Sequence, residues 1–472
     1  MDEFEEYKLW IENVECNFSD YAFSNLDIKY LDGTNFSDHY KKIFSGSDII
    51  KMQRNKYRTP FQLERDRILY SLMFQRLADK TQLFTSEKIN FIENRHTHSL
   101  KVMQISRSIA RGLKLNEDLV ETIALGHDIG HPPFAHIGEN ALEEWIKEKL
   151  PIKKNVLFKD LPILETITNG NKNSREKVKE YFTLGNDPKE KFFMHGRQGF
   201  RLLLKQKIDF FRFSKSVMYG IWRHSIKNFN TDEEFYFVMK IKEKEISLSG
   251  KEDLTLEAQV VRYADDIAWV VSDLQEGFHN NILKYKQIKE IIDEIYDQNT
   301  TLTLRIKDIF SEMPIKVSEL LTIFISDIIE NNMKKFKDAE NPKALKISFS
   351  EDINTIFEEL KKFIKENLHN KYFMARGSQV NKERIKALCN WYYDNPNEFL
   401  NEIANKMKET TFPINLKIKK FTKKEGFNHS NDELYENLVK KDNIYKITII
   451  VDFISVLTDH EVYRMSETMP TF

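Results

Sequence analysis

An adjacent histidine and aspartate, His127 and Asp128, close an apolar stretch in LVETIALGHDIGHPPFAHIGE, and Gly130, Pro132 and Pro133 follow at once. Leu119 to Gly126 is almost wholly apolar, so it reads as a buried helix that the glycine and prolines bring to an end. An adjacent imidazole and carboxylate at the end of an apolar helix offer two metal ligands of different hardness within one turn. Two further residues of ligand type lie at workable distances, His98 in NRHTHSLKV and Asp265 in RYADDIAWVVSDL. Together His98, His127, Asp128 and Asp265 make a two-histidine, two-aspartate donor set carried on helices. Such donors suit Mn, Fe, Zn or Mg rather than a soft thiolate metal. The set leaves coordination positions open for water and a substrate oxygen.

Asp265 is preferred over Asp266 on helical geometry. Asp265, Trp269 and Asp273 recur every four residues and share one face. Asp266 lies about 100° round the helix.

The rest of the chain is consistent with a helical body. Fifteen glycines and 11 prolines in 472 residues are few, which favours long helices over a turn-rich β fold. ERDRILYSLMFQRLADKTQLF (64–84) carries a helical apolar stripe, and a second helix opens at His98 with Leu100, Met103, Ile109 and Leu113 inward. Phe200 to Ser225 and Leu256 to Phe278 read as helices. Residues 1–45 read as an irregular arm with short helices, and 151–190 as a polar insertion or mobile loop. The charged stretch 228–253 suits a hairpin or a loop. Residues 281–472 alternate Lys/Glu-rich amphipathic segments, a helical C-terminal region. The runs KEKEISLSGKED, LKKFIKENL and NLKIKKFTKK read as solvated faces. The fold class expected is therefore all-α, with room for one small β-hairpin.

Composition excludes several classes. A hydrophobic content of 41% supports a large core, while 31% charged residues and a mean hydropathy of −0.53 describe a well-solvated surface. A formal net charge of −1 gives no global basic field for nucleic acid. Cys16 and Cys389 are too few for a disulfide framework or a zinc–thiolate site, and a reducing cytoplasm is the expected location. The opening MDEFEEYKLW has no apolar core of a signal peptide, and no membrane span is expected.

Several separated blocks resemble the HD-domain superfamily and, within it, the deoxynucleoside triphosphate triphosphohydrolases of the dGTPase family. They are RTPFQLERDRILYSLMFQRLADKTQLF (58–84), NRHTHSL (94–100), ALGHDIGHPPFAHIGE (124–139), LEAQVVRYADDIAWVVSDLQEG (256–277) and VDFISVLTDHEVYR (451–464). The resemblance implies an HD-domain phosphohydrolase over residues 46–280 that cleaves a dNTP to the deoxynucleoside and inorganic triphosphate. It implies that His98, His127, Asp128 and Asp265 hold the metal and that Arg95 meets the α-phosphate. Gln82 and Asp273 would read the deoxyribose 3′-hydroxyl, and His136 and Glu139 would form the acid/base pair. If a helix starts after Pro133, His136 and Glu139 share a face, so the carboxylate can orient the imidazole. A second Mg²⁺ is expected with the triphosphate, whose charge exceeds what one cation offsets. The family resemblance also implies a homo-oligomer, often a hexamer, and in some relatives a nucleotide or single-stranded DNA effector.

The chain departs from the family pattern in places. Trp269 stands where a tyrosine is usual, His96 is unusual between Arg95 and His98, and FFMHGRQGFRLL (192–203) is diverged, with His195 as a candidate phosphate contact. His131 and His224 are further candidates for the site's lining. For Arg54, Lys56, Arg58, Arg197 and Arg223 a structural or surface role is the stronger reading. Two alternatives stay open: hydrolysis of another nucleotide phosphoester, and a regulatory oligomer that binds nucleotide or nucleic acid.

Overall fold

The computed structural model describes residues 3–19, 22–30, 35–38, 57–83, 93–149, 164–168, 176–180, 192–204, 213–225, 236–241, 244–249, 254–295, 301–310, 316–339, 345–373, 376–409, 413 and 443–469. In chain order the helices are α1 (Glu3–Glu15), α2 (Pro60–Leu69), α3 (Leu72–Arg76), α4 (Arg95–Leu113), α5 (Glu117–Gly126), α6 (Ala135–Lys149), α7 (His195–Leu204), α8 (Lys215–Arg223) and α9 (Leu256–His279). They continue as α10 (Tyr285–Ile295), α11 (Thr301–Ile309), α12 (Val317–Lys337), α13 (Glu351–Ile364), α14 (Asn370–Phe373), α15 (Arg376–Asp394), α16 (Pro396–Lys408), α17 (Asn443–Val456) and α18 (Asp459–Glu467).

The body is all-α, as expected. The stretch 64–84 is broken, however. Ser71 accepts a hydrogen bond from Phe74 N and so caps a new helix, which separates α2 from α3. The expected arm contains a 13-residue helix, α1, whose Phe4, Tyr7 and Ile11 are buried. The insertion 151–190, expected as a polar or mobile loop, contains strands β1 (Leu164–Thr168) and β2 (Glu176–Glu180), paired antiparallel. The stretch 228–253 contains the hairpin of β3 (Tyr236–Ile241) and β4 (Lys244–Ser249). The sheet order is β1-β2-β3-β4, so two hairpins join in one small antiparallel sheet where a single hairpin was expected. NLKIKKFTKK, Arg54 and Lys56 lie outside the described residues.

Three helices frame the candidate site. Asn94 caps α4 by accepting from Thr97 N, and Val102, Ile105, Ile109 and Leu113 are buried on the same helix as His98. Asn116 caps α5, whose first turn carries Glu117 and Asp118 where the helix dipole favours anions. Thr255 caps α9, a 24-residue helix that packs across both. Stacked this way, the start of α4, the end of α5 and the middle of α9 meet at one point.

The C-terminal helices are part of that architecture, and contacts cross the 280/281 boundary. Lys80 is buried and donates from Nζ to the carbonyls of His131 (2.7 Å) and Ser455 (2.6 Å). Asp452 on α17 accepts from Gln198 Nε2 at 2.9 Å and Arg201 Nη2 at 3.1 Å, both on α7. Asp459 at the start of α18 accepts from Thr81 N and Oγ1 and from Phe134 N. Phe134 and Ala135 have φ of 61° and 55°, strained values for side-chain-bearing residues. Asp459 fixes that turn from outside, and α6 begins from it.

Glu64 links α2 to α8, because its buried carboxyl accepts from Ser214 N and Oγ, and Ser214 caps α8. Burial raises its pKa to about 7 against these hydrogen bonds and Arg67. A carboxyl whose pKa is higher folded than unfolded stabilises the fold below the unfolded value. That contribution is lost as pH rises through the folded value. Stability is thus expected to fall between about pH 4.5 and 7 by an amount on the order of 3 kcal/mol from this group. Glu64→Gln should flatten that slope in urea melts run across the window; an unchanged slope would remove Glu64 as its source.

Candidate metal centre and phosphate pocket

The four sequence-derived donors converge. His98 Nε2 lies 2.9 Å from Asp265 Oδ1, and His127 Nε2 lies 3.3 Å from Asp128 Oδ1 and 3.6 Å from Asp265 Oδ1. His98, His127 and Asp128 are buried, and each can offer one donor atom within 4.8 Å of the others'. His127 donates from Nδ1 to the Ala124 carbonyl at 2.6 Å. Its Nε2 is buried with no hydrogen bond among the described residues. A histidine tethered at one nitrogen with the other turned to a cluster is how metal-ligating imidazoles are oriented.

The electrostatics favour a cation there. Burial opposes ionisation of Asp128, but Arg95 and the imidazoles of His127 and His131 outweigh it and hold its pKa well below the usual carboxylate range. Burial likewise opposes ionisation of Asp265, but the imidazoles of His127 and His98 beside it hold its pKa well below the usual carboxylate range. Burial alone would lower His127; Asp128 and Asp265 instead raise it to about 9. The field that retains a proton on His127 is the field that would retain a metal. The donor set therefore fits a divalent metal of the borderline or hard kind.

Arg95, first residue of α4, is buried and donates from Nη1 to Asp128 Oδ2 at 2.6 Å. Its Nε and Nη2 are buried with no acceptor among the described residues. A guanidinium with unmatched donors beside a metal set is suited to a phosphate oxygen.

The second cluster follows the strained turn. His136 Nδ1 meets Glu139 Oε2 at 2.6 Å across one turn of α6, while half of the His136 side chain remains exposed. Glu139 Oε1 accepts from His195 N at 3.1 Å and Nδ1 at 2.7 Å. One carboxylate thus clamps two imidazoles. Burial opposes its charge, but His195, His131 and these hydrogen bonds hold its pKa well below the usual range. His131 stacks on His195 with centroids 3.7 Å apart, and its Nε2 lies 3.2 Å from Asp128 Oδ1. It is an inner residue of the cluster rather than a turn residue.

The third group lies along α9. Asp273 Oδ2 is 2.6 Å from His369 Nε2. Gln82 has a buried Oε1 with no hydrogen bond among the described residues. Its backbone N–H bonds to Glu93 O, and Glu93 N bonds to Glu276 Oε1, one turn beyond Asp273. Trp269 Nε1 donates to Asp266 Oδ1 at 2.9 Å, so the indole hydrogen is already engaged and the ring offers a face. Arg58 pairs with Asp66, Arg197 donates to the Phe192 carbonyl, and Arg223 is buried on α8.

Sequence reasoning missed His369 and Lys361. LKKFIKENL was read as a solvated face, yet Leu360, Phe363, Ile364 and Leu368 are buried and Lys361 Nζ bonds to Asp266 Oδ2 at 3.0 Å. His369 ends a π-helical turn, Lys365–His369. An inserted residue of this kind shifts the phase that a 3.6-residue count projects.

The family model described as "HD domain" matches residues 95–269. A deoxyguanosinetriphosphate triphosphohydrolase-like protein of Neorickettsia sennetsu is 30% identical over 351 residues, covering 71% of this chain and 79% of the relative. The chain belongs to the deoxyguanosinetriphosphate triphosphohydrolase-like family. Another member, from Leptospira interrogans, is 25% identical over 450 residues, 90% of this chain and 93% of its own. One from Caldanaerobacter subterraneus is 29% identical over 347 residues, 73% of this chain and 76% of its own. The match spans α4, α5 and much of α9, the helices that bring together the candidate metal donors of this family member. It is an HD-domain phosphohydrolase, and none of its described helices is long and apolar enough to cross a membrane.

Proposed function

We propose that this protein hydrolyses a deoxynucleoside triphosphate to the deoxynucleoside and inorganic triphosphate. The observation that carries this reading is Arg95, which holds Asp128 with one arm and keeps two buried donors for an anion beside the metal set. His98, His127, Asp128 and Asp265 would hold a divalent ion such as Mn, Fe or Mg. When bound, such an ion supplies Lewis-acid help and a more acidic water.

The chain's own residues perform the remaining work. Arg95 binds the α-phosphate oxygens and holds them in place. A water oxygen bonds to the α-phosphorus and gives up a proton to solvent while the P–O5′ bond breaks, so the three phosphates leave together as inorganic triphosphate. The departing O5′ takes a proton from His136, which is half exposed and braced at Nδ1 by Glu139. His195 lies on the other oxygen of Glu139 and is placed to contact phosphate. Gln82 Oε1 and Asp273 take the 3′-hydroxyl, with the Trp269 ring beside them. A site closed round that edge gives a 2′-hydroxyl neither room nor partner.

The decisive experiment gives each of the four dNTPs, singly and mixed, to the protein with Mn²⁺ or Mg²⁺, with products resolved by ion exchange. Deoxynucleoside plus intact triphosphate supports the reading. Orthophosphate or pyrophosphate as first product rejects it, as does no turnover in either format. ATP is expected to be cleaved far more slowly than dATP.

His369 is read here as a positioning residue that aims Asp273. Hydrogen bonds to charged groups are worth about 1.5–3 kcal/mol. His369→Ala should therefore raise KM for the dNTP about tenfold to a hundredfold with metal content unchanged. His369→Gln, which keeps a donor, should recover part of the loss. Equal KM in all three proteins would remove His369 from this role.

A further inference from the structure

Gln82 and Arg95 lie on two short segments that pair as neighbouring strands would. Arg95 N donates to Lys80 O and Gln82 N to Glu93 O, both at 3.0 Å, and Thr81 faces Asn94 between them in an antiparallel bridge. So short a ladder does not hold its own register in water. The 80–82 side is fixed by the contacts of Lys80 and Asp459. On the 93–95 side the anchor is α9. Glu93 N donates to Glu276 Oε1 at 2.7 Å, and both residues are buried. Lys101 on α4 adds a second tie, with Nζ 2.7 Å from Glu93 Oε1 and 2.9 Å from Ser272 Oγ on α9.

We propose that Glu276 is a positioning residue, which fastens the 80–82/93–95 pairing to α9 and so sets Gln82 and Arg95 at a fixed distance from Asp273. One helix then carries Asp265 and Asp273 directly and holds the other two contacts through a single side chain. Charge decides which form of Glu276 does this. Burial raises its pKa to about 8, helped by Asp273 on the same helix and by Glu93 opposite, and against the Glu93 N–H and the Lys101 ammonium. At neutral pH the carboxyl is therefore uncharged. It still offers an acceptor to Glu93 N, and it adds no third negative charge beside Asp273 and Glu93. As pH rises through about 8 it ionises. The hydrogen bond favours that form, but burial and the two carboxylates outweigh it, and Lys101 is already paired with Glu93. Repulsion then works against the tie, and Gln82 and Arg95 lose their register with Asp273.

The inference rests on the reading of Gln82 and Arg95 as sugar and phosphate contacts, and hydrogen exchange separates the two because it needs no substrate. Full-length wild type, Glu276→Gln and Glu276→Ala are compared at neutral pH by mass spectrometry of the peptides that carry 80–83 and 93–95. Glu276→Ala, which leaves Glu93 N–H unmatched, should exchange faster in both peptides. It should also raise KM for a dNTP about tenfold, the scale of one buried donor left without an acceptor. Glu276→Gln keeps a neutral acceptor and should match wild type in exchange. From about pH 7 to 9, KM should rise in wild type and stay level in Glu276→Gln. Unchanged exchange in Glu276→Ala overturns the proposal, as does faster exchange with unchanged KM. Equal pH slopes of KM in wild type and Glu276→Gln overturn it too, and that comparison decides if Glu276→Ala fails to fold. Absence of dNTP turnover in wild type overturns the proposed function instead, and the exchange rates then decide whether Glu276 holds the pairing.

Discussion

Asp265→Ala should leave the protein folded, strip it of the divalent ion proposed for His98, His127, Asp128 and Asp265, and lower kcat/KM for a dNTP about a thousandfold or more. The magnitude follows from what Asp265 does at one oxygen: Oδ1 faces His98 Nε2 at 2.9 Å and His127 Nε2 at 3.6 Å. Without it, two imidazoles lose the anion that orients and balances them, and the donor set falls to three. Losing one preorganised electrostatic element of an active site commonly costs about a hundred- to a thousandfold in rate. Here a ligand and a charge are lost together, so the effect belongs at the upper end, on the order of 4 kcal/mol in the barrier. Asp266→Ala is the matched control. Asp266 binds Trp269 Nε1 and Lys361 Nζ, not the histidines. It should change KM modestly and leave bound metal unchanged. Metal analysis beside initial rates checks both; if Asp266→Ala loses the metal and Asp265→Ala retains it, the assignment made from helix phase is wrong.

That assignment shows what was legible in the chain. An eight-residue separation on one helix fixes a shared face, so Asp265 and Asp273 could be placed together before any fold was known. The His127–Asp128 pair was legible because an apolar helix rarely ends on two groups that need partners. His136 and Glu139 were legible as a three-residue pair, once a helix start was read from Pro133. Three kinds of feature were hidden. His369 depends on a π turn, which breaks the phase on which such counting relies. Asp459 and Asp452 act 325 and 254 residues away from Phe134 and Gln198, and nothing local in the sequence encodes those contacts. Strands β1 and β2 lie in a stretch whose polar composition resembles a loop, because strand pairing draws on the backbone and the partner rather than on local apolarity.

The contacts of Asp459 tie the C-terminal VDFISVLTDHEVYR block to the blocks that carry the candidate site residues. Asp459 grips Thr81, next to Gln82, and Phe134, two residues before His136, so it ties together the segments that carry two of the candidate site residues. Lys80 reinforces the same junction by bonding His131 O and Ser455 O. The C-terminal helices therefore set the distance between the segment of Gln82 and the turn that precedes His136.

Gly130→Ala tests how closely the two clusters must approach. A Cβ at Gly130 would lie 1.9 Å from His195 O and 2.2 Å from Gly199 N, both backbone atoms of α7. No rotamer change relieves contacts with backbone. Either α7 moves outward or the turn after Asp128 does, and each breaks something identified above. Outward movement of α7 carries His195 from Glu139 and strains the Arg201–Asp452 pair; movement of the turn displaces Asp128 and His131. Overpacking by a methyl group costs about 1–3 kcal/mol when side chains can yield. With backbone on the far side the cost should be on the order of 3–5 kcal/mol, the range of the severe single substitutions. Thermal unfolding should show a marked fall in Tm, and the surviving folded fraction should turn over dNTP at least about a hundredfold more slowly, as expected for misplacing reacting groups by an ångström. Gly377→Ala is the counterpart. A Cβ there meets nothing within 4 Å and the residue lies in helix α15, so stability should hold or rise slightly. Equal behaviour of the two variants would mean that α7 and the His127–Asp128 turn are not in backbone contact, and the shared position of the two imidazole clusters would lose its physical basis.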